Sequence, residues 1–410
     1  MRILMLSQWF QPEPTFKGLP FARALTRLGH EVQVLTGFPN YPGGKLYDGY
    51  KIRLLQRETM DGISVVRVPL YPSHDSSGFR RAANYASFAL SASLIGPWAV
   101  KPADVAYVFH PPVTVGLPAI WLRLLRNIPF VYDIQDLWPD TLAATGMMNS
   151  KRVLAMADRW CRFVYKRADR IAVLSPGFKE ALCKRGVPEE KIEVIYNWCD
   201  DDIATQARDE GLSGELGLSG KFNVVFAGTM GKAQALDAVL DAAAMVRERA
   251  PEMRFVFVGG GVDVNRLKGK AEAAKLSNVR FLPRMSVSEI KPVLARADVL
   301  LVHLRDTPLF RITIPSKTQA YLAVGRPILM AVPGDAADLV NTASAGVCCA
   351  PENARAIAEA ALKLYNMPRE QLEGMGQRGR EFYNRELSLS IGARKYERLF
   401  NAVVAERKHR

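Results

Sequence analysis

Short, β-branched apolar runs alternate with helix-like stretches along nearly the whole chain, in two successive series. In the first half the strand-like runs are residues 2–7, 31–36, 64–68, 105–109, 130–133, 170–174 and 192–196. In the second half they are residues 222–227, 254–258, 279–282, 299–303, 328–331 and 346–349. Continuous runs of this kind suit strands buried on both faces, and strand–helix alternation builds parallel sheets. Between the first two runs, Phe21, Leu25 and Leu28 recur at helical spacing, with Pro20 suiting the start of the predicted helix and Gly29 its end. The expected fold class is α/β, with two doubly wound, Rossmann-like sheets. Ligands of such sheets bind beyond the carboxyl ends of the strands, so a cleft between two facing lobes is the expected site.

The composition shifts at residues 199–221, acidic and then rich in glycine and serine. The expected organisation is a first Rossmann-like domain over 1–200, a linker over 201–221 and a second Rossmann-like domain over 222–388. A C-terminal helix over 389–410 is expected to return to the first domain. At 410 residues the chain exceeds one ordinary core. Fifty-five basic residues stand against forty-one acidic ones, a net charge of +14. That balance favours an anionic partner, and no basic block with interleaved aromatics argues for nucleic acid; a generally solvated basic surface is the plainer alternative. The five cysteines, Cys161, Cys183, Cys199, Cys348 and Cys349, show no metal or redox spacing and suit a reducing compartment. The N-terminal apolar run is too short for a signal peptide, and no spanning segment of about twenty apolar residues occurs. Residues 84–100 are apolar with serines, flanked by Arg80, Arg81 and Lys101. They read either as a helix covering a sheet or as one lying in a membrane interface, its basic flanks on anionic headgroups.

Chemistry-bearing residues cluster after the strand-like runs. Gly18 precedes the first helix, where a glycine lets backbone N–H groups approach an anion, although turns use glycine routinely. His110 follows one run, suiting either substrate hydroxyls or a structural role. Asp136, with Asp133, Gln135 and Asp140, follows another; Asp136 suits sugar hydroxyls or an acceptor proton, and Asp140 suits a helix cap. In the second half Gly228, Thr229 and Lys232 form a strand–turn–helix junction compatible with phosphate but without Walker spacing. "FVFVGGG", containing Gly259, is a second strand-then-glycine turn, and Arg284 and Met285 follow a third strand near where a base edge would lie. The segment from 299 to 331 places Arg305, Arg311 and Lys317 between a strand and a helix start, where cations would neutralise a diphosphate.

Together "RALTRLGHEVQVLTG", "GFPNYPGGK", "YDIQDLWPD", "VLSPGFKEALCKRGVP", "KIEVIYNWCD", "GTMGKAQALD" and "RITIPSKTQAYLAVGRPILMA" resemble the GT-B glycosyltransferases of family 4 over nearly the whole length. The likeness is greatest to the WbuB-like subgroup, named as L-fucosamine transferases of surface-polysaccharide assembly. That resemblance implies a retaining, metal-independent enzyme without a cofactor, taking a UDP-sugar as substrate. The donor would sit on the C-terminal domain and a polyprenyl-diphosphate-linked glycan on the N-terminal one. The setting implied is O-antigen or capsule synthesis, in the cytoplasm at the inner face of the membrane, on an anionic membrane surface. Catalytic candidates are Asp136, His110, Lys232, Arg311 and Lys317. Gly18 is similar to the glycine whose backbone meets the donor phosphate, and Ser316 would donate at a helix start. Further substrate contacts are expected at Lys17, Asn40, Tyr41, Gln135, Gly228, Thr229, Gly259, Arg284, Met285, His303, Phe310 and Pro315. Many family members carry two glutamates separated by seven residues; here those positions are Ile312 and Ala320. Gln319 is the residue expected to take over a ribose contact, and the change fits a deoxy or amino sugar.

Two other readings stand beside the transferase: a nucleotide-sugar epimerase on the same fold, and a non-catalytic nucleotide-sugar-binding protein. Epimerisation needs an acid and a base about the sugar, and Asp306 and Asp335 are the nearest carboxylates to the cationic loop before Asp338. A secreted binding protein would carry an export signal, and none is visible.

Overall fold

The first series of runs becomes an eight-stranded sheet in a computed structural model that describes residues 1–73, 78–144, 148, 150–199 and 218–408. Its strands are β1 (Arg2–Leu6), β2 (Glu31–Gly37), β3 (Gln56–Met60), β4 (Ile63–Val68), β5 (Val105–His110), β6 (Phe130–Ile134), β7 (Arg170–Val173) and β8 (Ile192–Val194). They lie in the order β3-β4-β2-β1-β5-β6-β7-β8. All neighbours are parallel except β3 and β4, an antiparallel hairpin at the edge. The hairpin turns at Asp61 and Gly62, both at positive φ, as a two-residue loop between twisted strands requires. The helices of this unit are α1 (Leu19–Arg27), α2 (Gly78–Ala99), α3 (Gly116–Arg126), α4 (Asp140–Ala144), α5 (Lys151–Arg167) and α6 (Pro176–Lys184). Helix α1 buries Phe21, Ala22 and Leu25. Helix α2 packs on β4 and β2 and along α3, which also meets α5.

The second series forms a six-stranded, wholly parallel sheet of β9 (Phe222–Ala227), β10 (Met253–Val258), β11 (Val279–Leu282), β12 (Val299–His303), β13 (Ile328–Ala331) and β14 (Gly346–Cys348). The order is β11-β10-β9-β12-β13-β14. Val224 and Phe226 of β9 point into one apolar cluster and Val225 into another, so both faces are covered. The helices here are α7 (Asp237–Val246), α8 (Val264–Ala273), α9 (Val287–Arg296), α10 (Pro308–Arg311), α11 (Ser316–Val324), α12 (Asp335–Thr342), α13 (Ala354–Tyr365) and α14 (Arg369–Phe382). The chain ends in α15 (Leu389–Lys408).

Two units result: Met1–Ile195 with Gly392–Arg410, and Tyr196–Ile391. Most of α15 thus belongs with the first sheet. Most of the linker expected over 201–221 lies outside the described residues. Among the described residues no helix is long and apolar enough to cross a membrane.

Candidate functional site

In the second unit the strand order reverses about β9, which has β10 on one side and β12 on the other. Crevices at such reversals are where open α/β sheets bind ligands. The loop after β9 begins at Gly228 (φ 141°), and a Cβ there would stand 3.2 Å from the Lys317 Nζ. The loop after β10 begins at Gly259 (φ 142°), where a Cβ would stand 2.0 Å from the Gly228 carbonyl oxygen. Both turns therefore need glycine, for backbone angle and for space. Lys317, in the first turn of α11, lies with its Nζ 3.6 Å from the centroid of the Phe226 ring. Four residues on, Tyr321 accepts from Ala227 N–H (2.9 Å) and donates to Ala227 O (3.3 Å), pinning the same face of α11 to the end of β9.

The charges around this crevice are unequal. Asp306 chelates the exposed Arg311 guanidinium at 2.8 and 2.9 Å, and Arg305 approaches Glu352 at 3.7 Å. Lys317 and Lys232 have no carboxylate partner among the described residues; Lys232 is exposed, whereas burial lowers the Lys317 ammonium to about 7. Of the three cations in this loop, Lys317 is the one without a counter-ion among the described residues. An ammonium without a carboxylate partner, beside two glycine turns and a helix start, is an arrangement that suits an anion.

Other expected contacts take varied places. His303 is buried with both nitrogens committed: Nδ1 donates to Gln234 O (2.7 Å) and Nε2 accepts from Glu352 N–H (3.0 Å). A carbonyl only accepts, so the ring is neutral with its proton on Nδ1; burial lowers its pKa, and the Lys317 charge adds to that. His303 thus ties three loops together. Gln319 is buried, and with its amide oriented to satisfy both atoms it donates to Pro315 O (2.9 Å) and Ser316 O (3.1 Å), closing the first turn of α11. That engagement commits its amide nitrogen within the helix start. Thr229, Arg284 and Ser316 are exposed, while Met285 and Phe310 pack partly on the core.

In the first unit the reversal falls at β1, which pairs with β2 and β5. Leu6 is level with Val108, and His110 with Ile134, so the loops after β1 and β2, His110 and Asp136 gather at one end of the sheet. Glu13 organises them. Its carboxylate accepts from Phe10 N–H (3.1 Å), Asn40 N–H (2.7 Å) and Tyr41 N–H (2.8 Å). Burial raises its pKa to about 7, against those donors and Arg67. Asn40 accepts from Asn84 of α2 (3.1 Å), which accepts from Gln8 (2.6 Å). Trp9 stacks near Tyr41 (4.8 Å between centroids) and meets Tyr85 edge-on at 6.2 Å. His110 is fully buried beside Tyr132 and Trp138. Neither ring nitrogen has a partner among the described residues, and burial lowers its pKa to about 3. The Trp9 Nε1 and a Gln8 oxygen are likewise unsatisfied among the described residues. Burial raises the Asp136 carboxyl. Unsatisfied buried polar atoms beside aromatic rings and a carboxyl suit a carbohydrate, whose hydroxyls supply the missing partners.

Lys17, Gln135 and Gly18 stand in a second, internal network. The Lys17 ammonium is buried between Asp133 (2.8 Å) and the Tyr396 hydroxyl (2.7 Å). Asp133 also accepts from Tyr107 (2.6 Å) and Gln135 (2.7 Å). At Gly18 a Cβ would stand 2.2 Å from Gln11 Oε1, and that oxygen already accepts Leu19 N–H (2.6 Å). The loop after β1 thus folds over the start of α1, and Lys17 holds the interior rather than a surface.

Comparison with known proteins fits this geometry. The family profile described as "Glycosyl transferase 4-like domain" matches residues 19–198, and that described as "Glycosyl transferases group 1" matches residues 212–382. The chain belongs to the GT-B glycosyltransferases. Among curated relatives, this glycosyltransferase is 27% identical over 341 residues to WcaI of Escherichia coli (strain K12), which carries the name of a colanic acid biosynthesis glycosyl transferase. The match covers 79% of this chain and 82% of the relative. It is 25% identical over 293 residues to WbjE of Pseudomonas aeruginosa, which carries the name of a glycosyltransferase, covering 70% of this chain and 72% of the relative. Among solved structures, Anabaena Alr3699/HepE with UDP and glucose matches with a TM-score of 0.69 at 16% identity, over 97% of this chain and 99% of that one. The α,α-trehalose 6-phosphate synthase of Burkholderia multivorans matches with a TM-score of 0.74 at 13% identity, over 99% and 97%. At these identities the structural likeness speaks to fold.

Several residues of the enzyme's two clusters gave little sign in the sequence. Phe226, Tyr321 and Glu352 come to the second-unit crevice from inside a strand, from one helical turn beyond the cationic loop, and from a distant loop. Trp9, Glu13 and Tyr85 do the same in the first. A signal existed for Trp9 and Glu13, which lie directly after a buried strand in a loop rich in aromatic and polar groups.

Proposed function

We propose that this glycosyltransferase moves a sugar from a UDP-sugar to a polyprenyl-diphosphate-linked glycan at the membrane, with retention and without a metal. The arrangement at Lys317 carries this reading. It is a half-buried lysine whose ammonium has no carboxylate partner among the described residues, set at the reversal of the second sheet against two glycine turns. Breaking the bond from sugar to UDP sends the electron pair to the diphosphate, and Lys317 would meet that charge as it forms. The UDP and UDP-glucose complexes of Alr3699/HepE support a uridine nucleotide as donor. The acceptor would lie on the first unit, its hydroxyls meeting His110 and the Trp9 rings, with Asp136 the carboxyl placed to receive the proton. The replacement of the family's glutamates by Ile312 and Ala320 supports a donor with fewer hydroxyls, such as UDP-L-FucNAc. The name of WcaI supports surface-polysaccharide assembly, in the O-antigen or capsule class, by an enzyme peripheral to the inner face of the membrane.

The test is UDP release from a panel of UDP-linked amino sugars with a polyprenyl-diphosphate sugar as acceptor, with and without a chelator. Turnover that survives chelation is expected, with the donor's anomeric configuration in the product by NMR. Lys317→Ala should lose at least about a hundredfold in kcat while keeping its fold. Wild-type UDP release by Lys317→Ala overturns the assignment.

A further inference from the structure

The solvent-facing side of α2 is apolar along most of its length. From Ala82 onward its exposed positions are Ala82, Ala86, Leu90, Leu94 and Trp98, every fourth residue and so one stripe. Leu94 is 70% exposed and Trp98 79%. A helix covering a sheet normally shows charge on this side. The stripe continues onto neighbouring helices: Trp121, Leu124 and Leu125 are exposed on α3, and Met156 and Phe163 on α5. Arg126 of α3 bonds the carbonyls of Pro97 and Val100, locking the ends of α2 and α3 together. So large an apolar face marks an interaction site.

Where this layer reaches the edge at which strands begin, a cavity of about 910 Å³ opens. Its cations are Arg123, Lys166, Arg167, Arg170, Lys191 and Arg407, against Asp169, Glu190 and Glu406. Arg123 pairs with Asp169 and Arg170 with Glu406. Lys191 donates to the carbonyls of Tyr165 (2.8 Å) and Lys166 (3.0 Å), and Arg167 covers the Phe163 ring at 3.8 Å. The remaining cations outnumber Glu190. Burial lowers the Lys191 pKa, against the Asp169 charge and with those of Arg123 and Arg170, a cost that a bound anion would offset. Phe163 lines this cavity and also an apolar recess with Met156, Arg159 and Trp160. Cationic cavity and apolar face are therefore continuous.

We propose that the outer face of α2, α3 and α5 seats on an anionic bilayer and that the cavity receives the phosphate of a lipid headgroup. The inference deepens the proposed function, resting on its membrane-linked acceptor, and gives the membrane a defined docking face on the first unit. Aliphatic and tryptophan side chains beside unbalanced cations match the acyl–headgroup boundary of an anionic leaflet. With no membrane-crossing helix among the described residues, this contact lies in the interface plane.

Sedimentation with phosphatidylcholine vesicles, with and without phosphatidylglycerol, tests it. Wild type should sediment with phosphatidylglycerol vesicles, less at high salt, and not with phosphatidylcholine alone. Lys166→Glu with Arg167→Glu, and separately Leu94→Ser with Trp98→Ser, should each lower that partition roughly tenfold or more. UDP release on a water-soluble acceptor should be unchanged in both, which separates this proposal from the donor chemistry. Equal binding to the two vesicle types, or either double variant partitioning like wild type, overturns it. A second readout needs no variant: tryptophan emission of the wild type should move to the blue with phosphatidylglycerol vesicles and not with inorganic phosphate. Unmoved emission with the vesicles, or the same shift with phosphate alone, also overturns it.

Discussion

Lys317 sets function against stability. Its ordinary pKa of 10.5 falls to about 7 in the folded, ligand-free chain because burial penalises the ammonium. The unfolded chain then holds the proton more tightly, so the cost is fully present below pH 7 and is relieved as pH rises from about 7 toward 10.5. A bound diphosphate would reverse the sign by favouring the ammonium. UDP affinity should therefore fall as pH rises above about 7, with proton uptake on binding, measurable by calorimetry in buffers of different ionisation heat. Heat independent of buffer at pH 8 would count against it. Lys317→Met should raise the ligand-free Tm by a few degrees, at roughly 2–4 °C per kcal/mol for a domain of this size, and abolish the upward shift given by UDP. At His110 both buried nitrogens lack partners among the described residues, so His110→Phe should leave Tm unchanged or higher. It should lose turnover while still binding UDP; undiminished turnover would place the acceptor elsewhere.

At the scale of elements, the sequence showed what repeats and hid what depends on partners. The parallel strands were legible because burial on both faces demands continuous apolar runs, and most observed bounds differ from expectation by a residue or two. The edge strand Gln56–Met60 has no such run: its side chains alternate between half-buried and exposed. Its one local sign was the Asp61-Gly62 pair. Helix α2 does cover the sheet, burying Phe88, Ala89 and Ala92 against it, while Leu90, Leu94 and Trp98 face outward. The cationic loop was visible, but its internal neutralisation was not, since Asp306 lies five residues before Arg311 and Glu352 arrives from β14's far side of the chain. Lys17 was expected among the substrate contacts on the resemblance alone, and its partner Tyr396 lies 379 residues away. That network yields a prediction. Tyr396→Phe removes one hydrogen bond from a buried ammonium and should cost about 1.5–3 kcal/mol. Asp133→Ala strands Lys17 with its charge buried and should cost about 3–5 kcal/mol. Equal, small losses in urea titrations would show that water reaches the pair.

The whole molecule is built so that its last helix completes its first sheet. Residues from Gly392 onward belong with Met1–Ile195. There Tyr396 and Phe400 are fully buried, meeting Phe21 and Tyr107 at ring-centroid distances of 5.2 to 6.3 Å. A chain ending at Ser388 loses those rings and opens the Lys17–Asp133 pair to water. Deleting a buried aromatic side chain costs about 3–5 kcal/mol by itself, so losing two should leave the first unit unfolded or barely folded. The second unit keeps Tyr383 and Leu387, both buried in its own cluster, and should be little affected. Calorimetry of the truncated chain should then show one surviving transition, and UDP should raise it, because the Lys317 crevice lies wholly within Tyr196–Ile391. A truncated chain that melts as the full one does would mean that α15 adds nothing to the first sheet. A surviving transition indifferent to UDP would move the donor site out of the second unit.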